Sequence, residues 1–164
     1  MRSLVHASVV AVALASVSAL AVAQARPDFS GKWEISQAKS SAGATSNSAN
    51  IAFPSELIIT QRPTELHVEH RFPRSDPFTT VYKLDGSEVS AGTPAGVTEN
   101  AKATWDGNTL VITARRVVSS AFGDFVTDSK EIWSRTGNVL TITKTETSDG
   151  LVNNERAVFD RDQP

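Results

Sequence analysis

Phe29-Ser30-Gly31-Lys32-Trp33-Glu34-Ile35 decides the fold if it is read as the first strand of a sheet. From Glu56 onward the chain continues in runs of alternating apolar and polar residues rich in β-branched side chains. A period of two places successive side chains on opposite faces, as in a half-buried strand. The runs predict strands near 31–36, 56–61, 65–72, 78–84, 97–105, 109–118, 124–134, 138–146 and 154–161. Between them stand Arg62-Pro63-Thr64, Pro73 to Pro77, Asp85-Gly86, Asp106-Gly107-Asn108, Thr136-Gly137-Asn138 and Asp149-Gly150, residues that preset or tolerate turn geometry. No stretch sustains a period of 3.6, and only the neighbourhood of Asp28 is suited to start a helical turn. The fold class is therefore all-β. Eight or nine sequential strands with short connections predict an up-and-down antiparallel β-barrel, whose closure removes exposed edges.

Two segments repeat one hairpin chemistry. Trp105-Asp106-Gly107-Asn108-Thr109-Leu110-Val111-Ile112-Thr113 and Trp133 to Thr143 each run from an aromatic through Gly-Asn to Leu-x-Ile-Thr. Their spacings differ, so shared turn chemistry is the reading preferred over duplication.

Ahead of the first strand, Arg2 and an apolar run from Val9 to Val22 end at Ala23-Gln24-Ala25, the layout of a cleaved secretory leader. Cleavage is expected after Ala25, or after Ala23, leaving residues 26–164 as a single domain in the periplasm or outside the cell. The alternative is an uncleaved membrane anchor, since small and apolar residues reach back to Leu4. After cleavage no membrane span is expected. The chain of 164 residues carries a formal net charge of −2, which offers no field for nucleic acid or anionic lipid. It contains no cysteine, so disulfides, thiol chemistry and a lipidated N-terminal Cys are excluded.

Ser36 to Asn50 is rich in Ser, Ala and Asn and lacks hydrophobic periodicity. It is expected to form a flexible loop of residues 36–50 after the first strand.

In this setting Gly31-x-Trp33 resembles the start of the lipocalin-like proteins of the calycin group, in which Gly-x-Trp on the first strand precedes an eight-stranded barrel. The Phe-Ser-Gly-x-Trp start and the Trp-Asp-Gly-x-x-Leu-x-Ile hairpin are most similar to bacterial exported lipocalin-like proteins. That resemblance implies an Arg from the end of the last strand lying across the Trp ring. Arg156 and Arg161 are the candidates, and Arg161 is preferred because it closes the strand Ala157 to Arg161. Gly31, Trp33 and Arg161 would then form a structural seal at one end, with a cation–π contact worth about 0.5–2 kcal/mol. The Thr-Asp-Tyr element of better-defined lipocalins is missing, and Val81 to Gly86 fills the middle of the chain.

Alternation also sorts the chemistry. Leu66, Val68 and His70 share one strand face, whereas His67 lies on the other, so the two histidines cannot ligate one metal. His70 is expected to point inward, as a hydrogen-bonded rim residue or, less often, a haem or metal ligand. Tyr82 shares a face with Phe78, Thr80 and Leu84 and could offer its hydroxyl to a ligand or simply pack with its tip at the rim. Of Arg115 and Arg116 one must face inward. An inward Arg116 near His70 and Tyr82 would suit an anionic head group; the alternative is that it lies in water or pairs with Glu131. Asp124, Asp128 and Glu131 lack a calcium-loop pattern and read as solvent-facing charge. Ala101, Ala103, Ala114 and Ala121 are small enough to leave interior space. No nucleophile elbow, P-loop, zinc motif or dinucleotide fingerprint is present, so no catalytic residue, cofactor or metal is assigned.

The expected function is therefore an exported monomer holding a small apolar or amphipathic ligand in its cavity, with His70, Tyr82 and Arg116 as ligand-binding residues. Alternatives are an envelope interaction protein with a filled barrel, and a barrel enzyme of isomerase or hydrolase type.

Overall fold

The computed structural model describes residues 26–41, 53–91, 93, 97–121 and 123–162. The leader, its cleavage points and positions 42–50 of the low-complexity stretch lie outside the described residues. Ten strands follow one another: β1 (Gly31–Ile35), β2 (Glu56–Gln61), β3 (Glu65–Arg71), β4 (Phe78–Lys83), β5 (Val89–Ser90), β6 (Val97–Asp106), β7 (Thr109–Ser120), β8 (Gly123–Thr136), β9 (Val139–Ser148) and β10 (Leu151–Arg161). They form one antiparallel sheet in the order β4-β3-β2-β1-β10-β9-β8-β7-β6-β5. Sequence neighbours pair throughout except at β4 and β5, and β1 closes onto β10. The sheet curls until β4 comes beside β5 and β6, although no ladder among the described residues joins them. The result is a nearly closed up-and-down barrel. No described helix is long and apolar enough to cross a membrane.

The strand count is ten rather than eight or nine. The extra strand, β5, has two residues, opposite Ala101 and Asn100, too few to show a period. The helical turn falls at Gln37–Lys39, whereas residues 26–30 around Asp28 have no regular structure. The opening of the low-complexity stretch is also fixed. Ser41 exchanges backbone hydrogen bonds with Arg156 at 2.8 and 3.0 Å, and the Val158 amide donates to Ser40 Oγ at 2.9 Å. These serines replace missing apolar contacts by satisfying backbone groups, which composition alone does not reveal.

Turn chemistry explains the long wall from β6 to β10. Gly107 and Gly137 open two-residue hairpins with φ of 56° and 59°, and Asp149-Gly150 supplies two positive φ values, 50° and 78°. These are the left-handed positions that primed hairpin turns demand. With each register set this way, Leu110, Ile112, Leu140 and Ile142 fall on the inner face and are buried.

The end of the barrel holding Trp33 is packed solid. Trp33 and Phe29 are fully buried, and the Trp33 Nε1 donates to the Phe29 carbonyl at 2.8 Å. Phe29 stacks on Trp105 at 5.9 Å and meets Trp133 edge-on at 6.0 Å. Arg161 is opposite Trp33 in the β1–β10 register, with its guanidinium 5.7 Å from the ring centroid. Arg135 brings a second guanidinium to within 5.6 Å, a contact that no sequence feature announced. Arg156 instead bonds outward to the Lys39 carbonyl.

Gly31 makes the Arg161 contact feasible. Its φ is 140°, and a Cβ there would lie 2.8 Å from Arg161 Nε. Gly31→Ala is therefore expected to cost on the order of 1–3 kcal/mol in urea unfolding. In an Arg161→Ala background the clash disappears and only the backbone strain remains, so the cost should fall. Equal costs in both backgrounds would show that the guanidinium does not enforce the glycine.

Candidate functional site

Away from Trp33 the inner face changes character. On β3 and β4, His70, Phe78, Thr80 and Tyr82 point inward, as do Glu99 on β6 and Arg116 on β7, which face each other in register. Glu131 and Trp133 come from β8, and Ile142 and Lys144 from β9. Together with Phe53, Pro54, Leu57, Phe72 and Thr93 these residues line one cavity of about 90 Å³. Alternation along each strand puts them on the inner face, and the ladder brings the strands into line.

The structure therefore brings His70, Tyr82 and Arg116 together around a single cavity. Their immediate partners differ from those expected. Arg116 Nε donates to Glu99 Oε2 at 2.7 Å, not to Glu131. The guanidinium is thus already paired. The Tyr82 tip does not reach the rim but is buried, and its hydroxyl bonds to Thr80. Burial pushes the phenol above its ordinary range, and the nearby Glu131 and Glu99 charges add to this.

His70 stacks on Phe78 with ring centroids 4.8 Å apart, and Phe78 stacks in turn on Phe72. Its Nε2 is buried and has no hydrogen-bond partner among the described residues, contrary to the expectation of a hydrogen-bonded rim histidine. Burial, reinforced by Lys144 and Arg116, drives its pKa down to about 4. His67 faces outward to Glu65 at 3.1 Å.

Glu131, Glu99 and Lys144 are site residues that strand alternation alone did not single out. The charge of Glu131 favours solvent, but the residue lies on the same inner face as Trp133, whose Nε1 donates to its Oε2 at 2.8 Å. The Trp133 two residues away, with the same parity, was the signal. Burial within the barrel raises the Glu131 pKa, and Lys144 opposes the shift. Lys144 is buried and pairs with Glu146 at 2.6 Å. Asp124 and Asp128 lie elsewhere, accepting from Ser119 and pairing with Arg115 respectively. No group of three metal-ligating side chains occurs among the described residues. Ala101 and Ala103 are buried on the inner face, whereas Ala121 is exposed at the β7–β8 tip.

No protein-family model and no curated protein sequence matches the chain. Solved structures share its fold, and two of them show how far the likeness extends. Zebrafish ileal bile acid-binding protein, crystallised with cholic acid, superposes with a TM-score of 0.59 at 16% identity, covering 82% of this chain and 98% of that one. Secretory abundant heat soluble protein 4 from Ramazzottius varieornatus gives 0.55 at 20% identity, covering 82% and 94%. The likeness is one of fold, an up-and-down antiparallel β-barrel.

The histidine gives a pH signature. Its folded pKa of about 4 lies below the ordinary 6.5, so the unfolded chain takes up the proton first as pH falls. The neutral side chain's contribution is complete above about pH 6.5 and is lost as pH falls towards 4, amounting to at most about 3 kcal/mol. His70→Phe keeps the stack on Phe78 and removes the proton site. The pH dependence of the urea midpoint should be shallower in this variant, with the two profiles diverging between those limits; superimposable profiles would show that His70 does not titrate in this way.

Proposed function

We propose that the protein is an exported, monomeric small-molecule carrier of the periplasm or extracellular space that holds an apolar or amphipathic ligand at the mouth of its barrel. The observation that carries this reading is the two-sided lining of the cavity. Phe53, Phe72 and Phe78 offer apolar surface, and His70, Tyr82 and Arg116 offer polar contacts in the same enclosure. Ligand sites combine apolar walls with a few placed polar groups in this manner. A volume of about 90 Å³ accommodates a head group and a short stem. The rest of the ligand would extend along the inner face of the long wall, where Val118, Phe125 and Leu151 are exposed beyond the mouth. Gly31, Trp33 and Arg161 act in this scheme as a structural seal at the opposite end. The bile-acid complex of the zebrafish barrel supports a carrier role by analogy of fold.

Native extraction with mass spectrometry is expected to find a co-purifying small molecule. Thr80→Phe, which fills part of the cavity, should reduce its retention by more than tenfold, with an overpacking cost of about 1–3 kcal/mol. If neither a bound molecule nor uptake of a polarity-sensitive apolar dye is observed, the carrier reading fails.

A further inference from the structure

The head group preferred by this cavity can be read from how its charges are paired, granted the carrier reading above. Two cations reach the interior, and both are engaged. Arg116 is held by Glu99 at 2.7 Å and Lys144 by Glu146 at 2.6 Å. Two further carboxylates remain. Glu131 lines the cavity, and its one hydrogen bond among the described residues is from Trp133. Glu155, only 5% exposed, lies outside the cavity lining and opposite Lys144 on the neighbouring strand; its Oε1 accepts from Asn153 Nδ2 at 3.0 Å, and its Oε2 has no partner among the described residues. No basic side chain lies within ion-pairing distance of either carboxylate among the described residues. The unpartnered His70 Nε2 adds a further polar atom with unused hydrogen-bonding capacity in the same lining.

An anionic head group entering here would have to pull Arg116 from Glu99 or Lys144 from Glu146 and would then face Glu131. Breaking a buried pair leaves an uncompensated charge, which is strongly unfavourable. An ammonium disturbs neither pair and supplies the charge-assisted donor that Glu131 lacks.

We propose that the ligand of this barrel carries a protonated amine, seated against Glu131, with its apolar body leading out past Phe72 and Phe78. The matching probes are octylamine, octanoate and octan-1-ol, equal in chain length and different in head group. They are titrated calorimetrically into the mature chain near pH 7 in about 0.15 M salt, which screens exposed charges. Tryptophan fluorescence, sensitive to Trp133 beside Glu131, gives a second readout.

Octylamine is expected to bind at least about tenfold more tightly than octanoate, as an additional charged hydrogen bond implies. Glu131→Gln retains an acceptor for Trp133 Nε1 but loses the charge. It should reduce that preference to about threefold or less while leaving octan-1-ol binding unchanged, the loss again reflecting one charged hydrogen bond. Octanoate binding as tightly as octylamine to the unsubstituted protein would overturn the head-group assignment and leave the carrier reading standing. An amine preference undiminished in Glu131→Gln would overturn the role of Glu131. Binding of none of the three probes would sink the carrier reading itself. The wild-type comparison requires no variant, so the proposal stays testable even if Glu131→Gln fails to fold.

Discussion

The structure depends on the junction of its first and last strands. β1 and β10 meet with Trp33 opposite Arg161, and the guanidinium occupies space that any side chain at position 31 would claim. Without this junction the strands would divide into two sheets, β1 to β4 and β5 to β10, each leaving an unpaired edge at the seam. Closing it brings residues more than a hundred positions apart into a ladder, at an entropic cost that local interactions cannot offset. Burial of Trp33 and Phe29, their hydrogen bond, and two guanidinium contacts on one indole concentrate favourable terms at that seam. Arg161 adds a bond from its Nη2 to the Ser30 carbonyl at 2.9 Å, tying the last strand to the residue before Gly31.

From that end the interior grades towards the mouth. Leu110, Leu140, Phe159 and Trp133 fill the barrel beside the indole cluster, and further along come Arg116 on β7, Glu131 on β8 and Lys144 on β9, with Glu99 on the adjoining β6. Placing charges inside a barrel is costly, and it becomes tolerable here because the cations are matched with carboxylates. His70 responds to the same environment by staying neutral, while burial raises the Glu131 pKa and the nearby Lys144 opposes that shift.

Much of the candidate site was legible because β-strands alternate. The parity of Leu66, Val68 and His70, of Thr80 and Tyr82, and of Leu110, Ile112 and Arg116 places each on the inner face without knowledge of the register. Parity also places Glu131 with Trp133 and Lys144 with Ile142, but the charged character of these residues suggested solvent. A charged residue can face inward where another strand supplies its counterion, and that partner is not visible within its own strand. The choice between Glu131 and Glu99 as the partner of Arg116 illustrates the same limit. Only the β6–β7 register places Glu99 directly opposite.

Taken alone, the sequence determined the all-β class, the approximate strand positions, the hairpin turns and the face on which each side chain lies. These follow from a period of two and from the φ preferences of Gly, Asn and Asp, which act over a few residues. The tertiary structure decided that β1 closes on β10, that β4 and β5 meet without a ladder, and that Ser40 and Ser41 are drawn into the wall. It also decided which carboxylate holds which cation and how much space remains between them. Those outcomes depend on register, curvature and the packing of distant strands, and no short stretch of the chain encodes them.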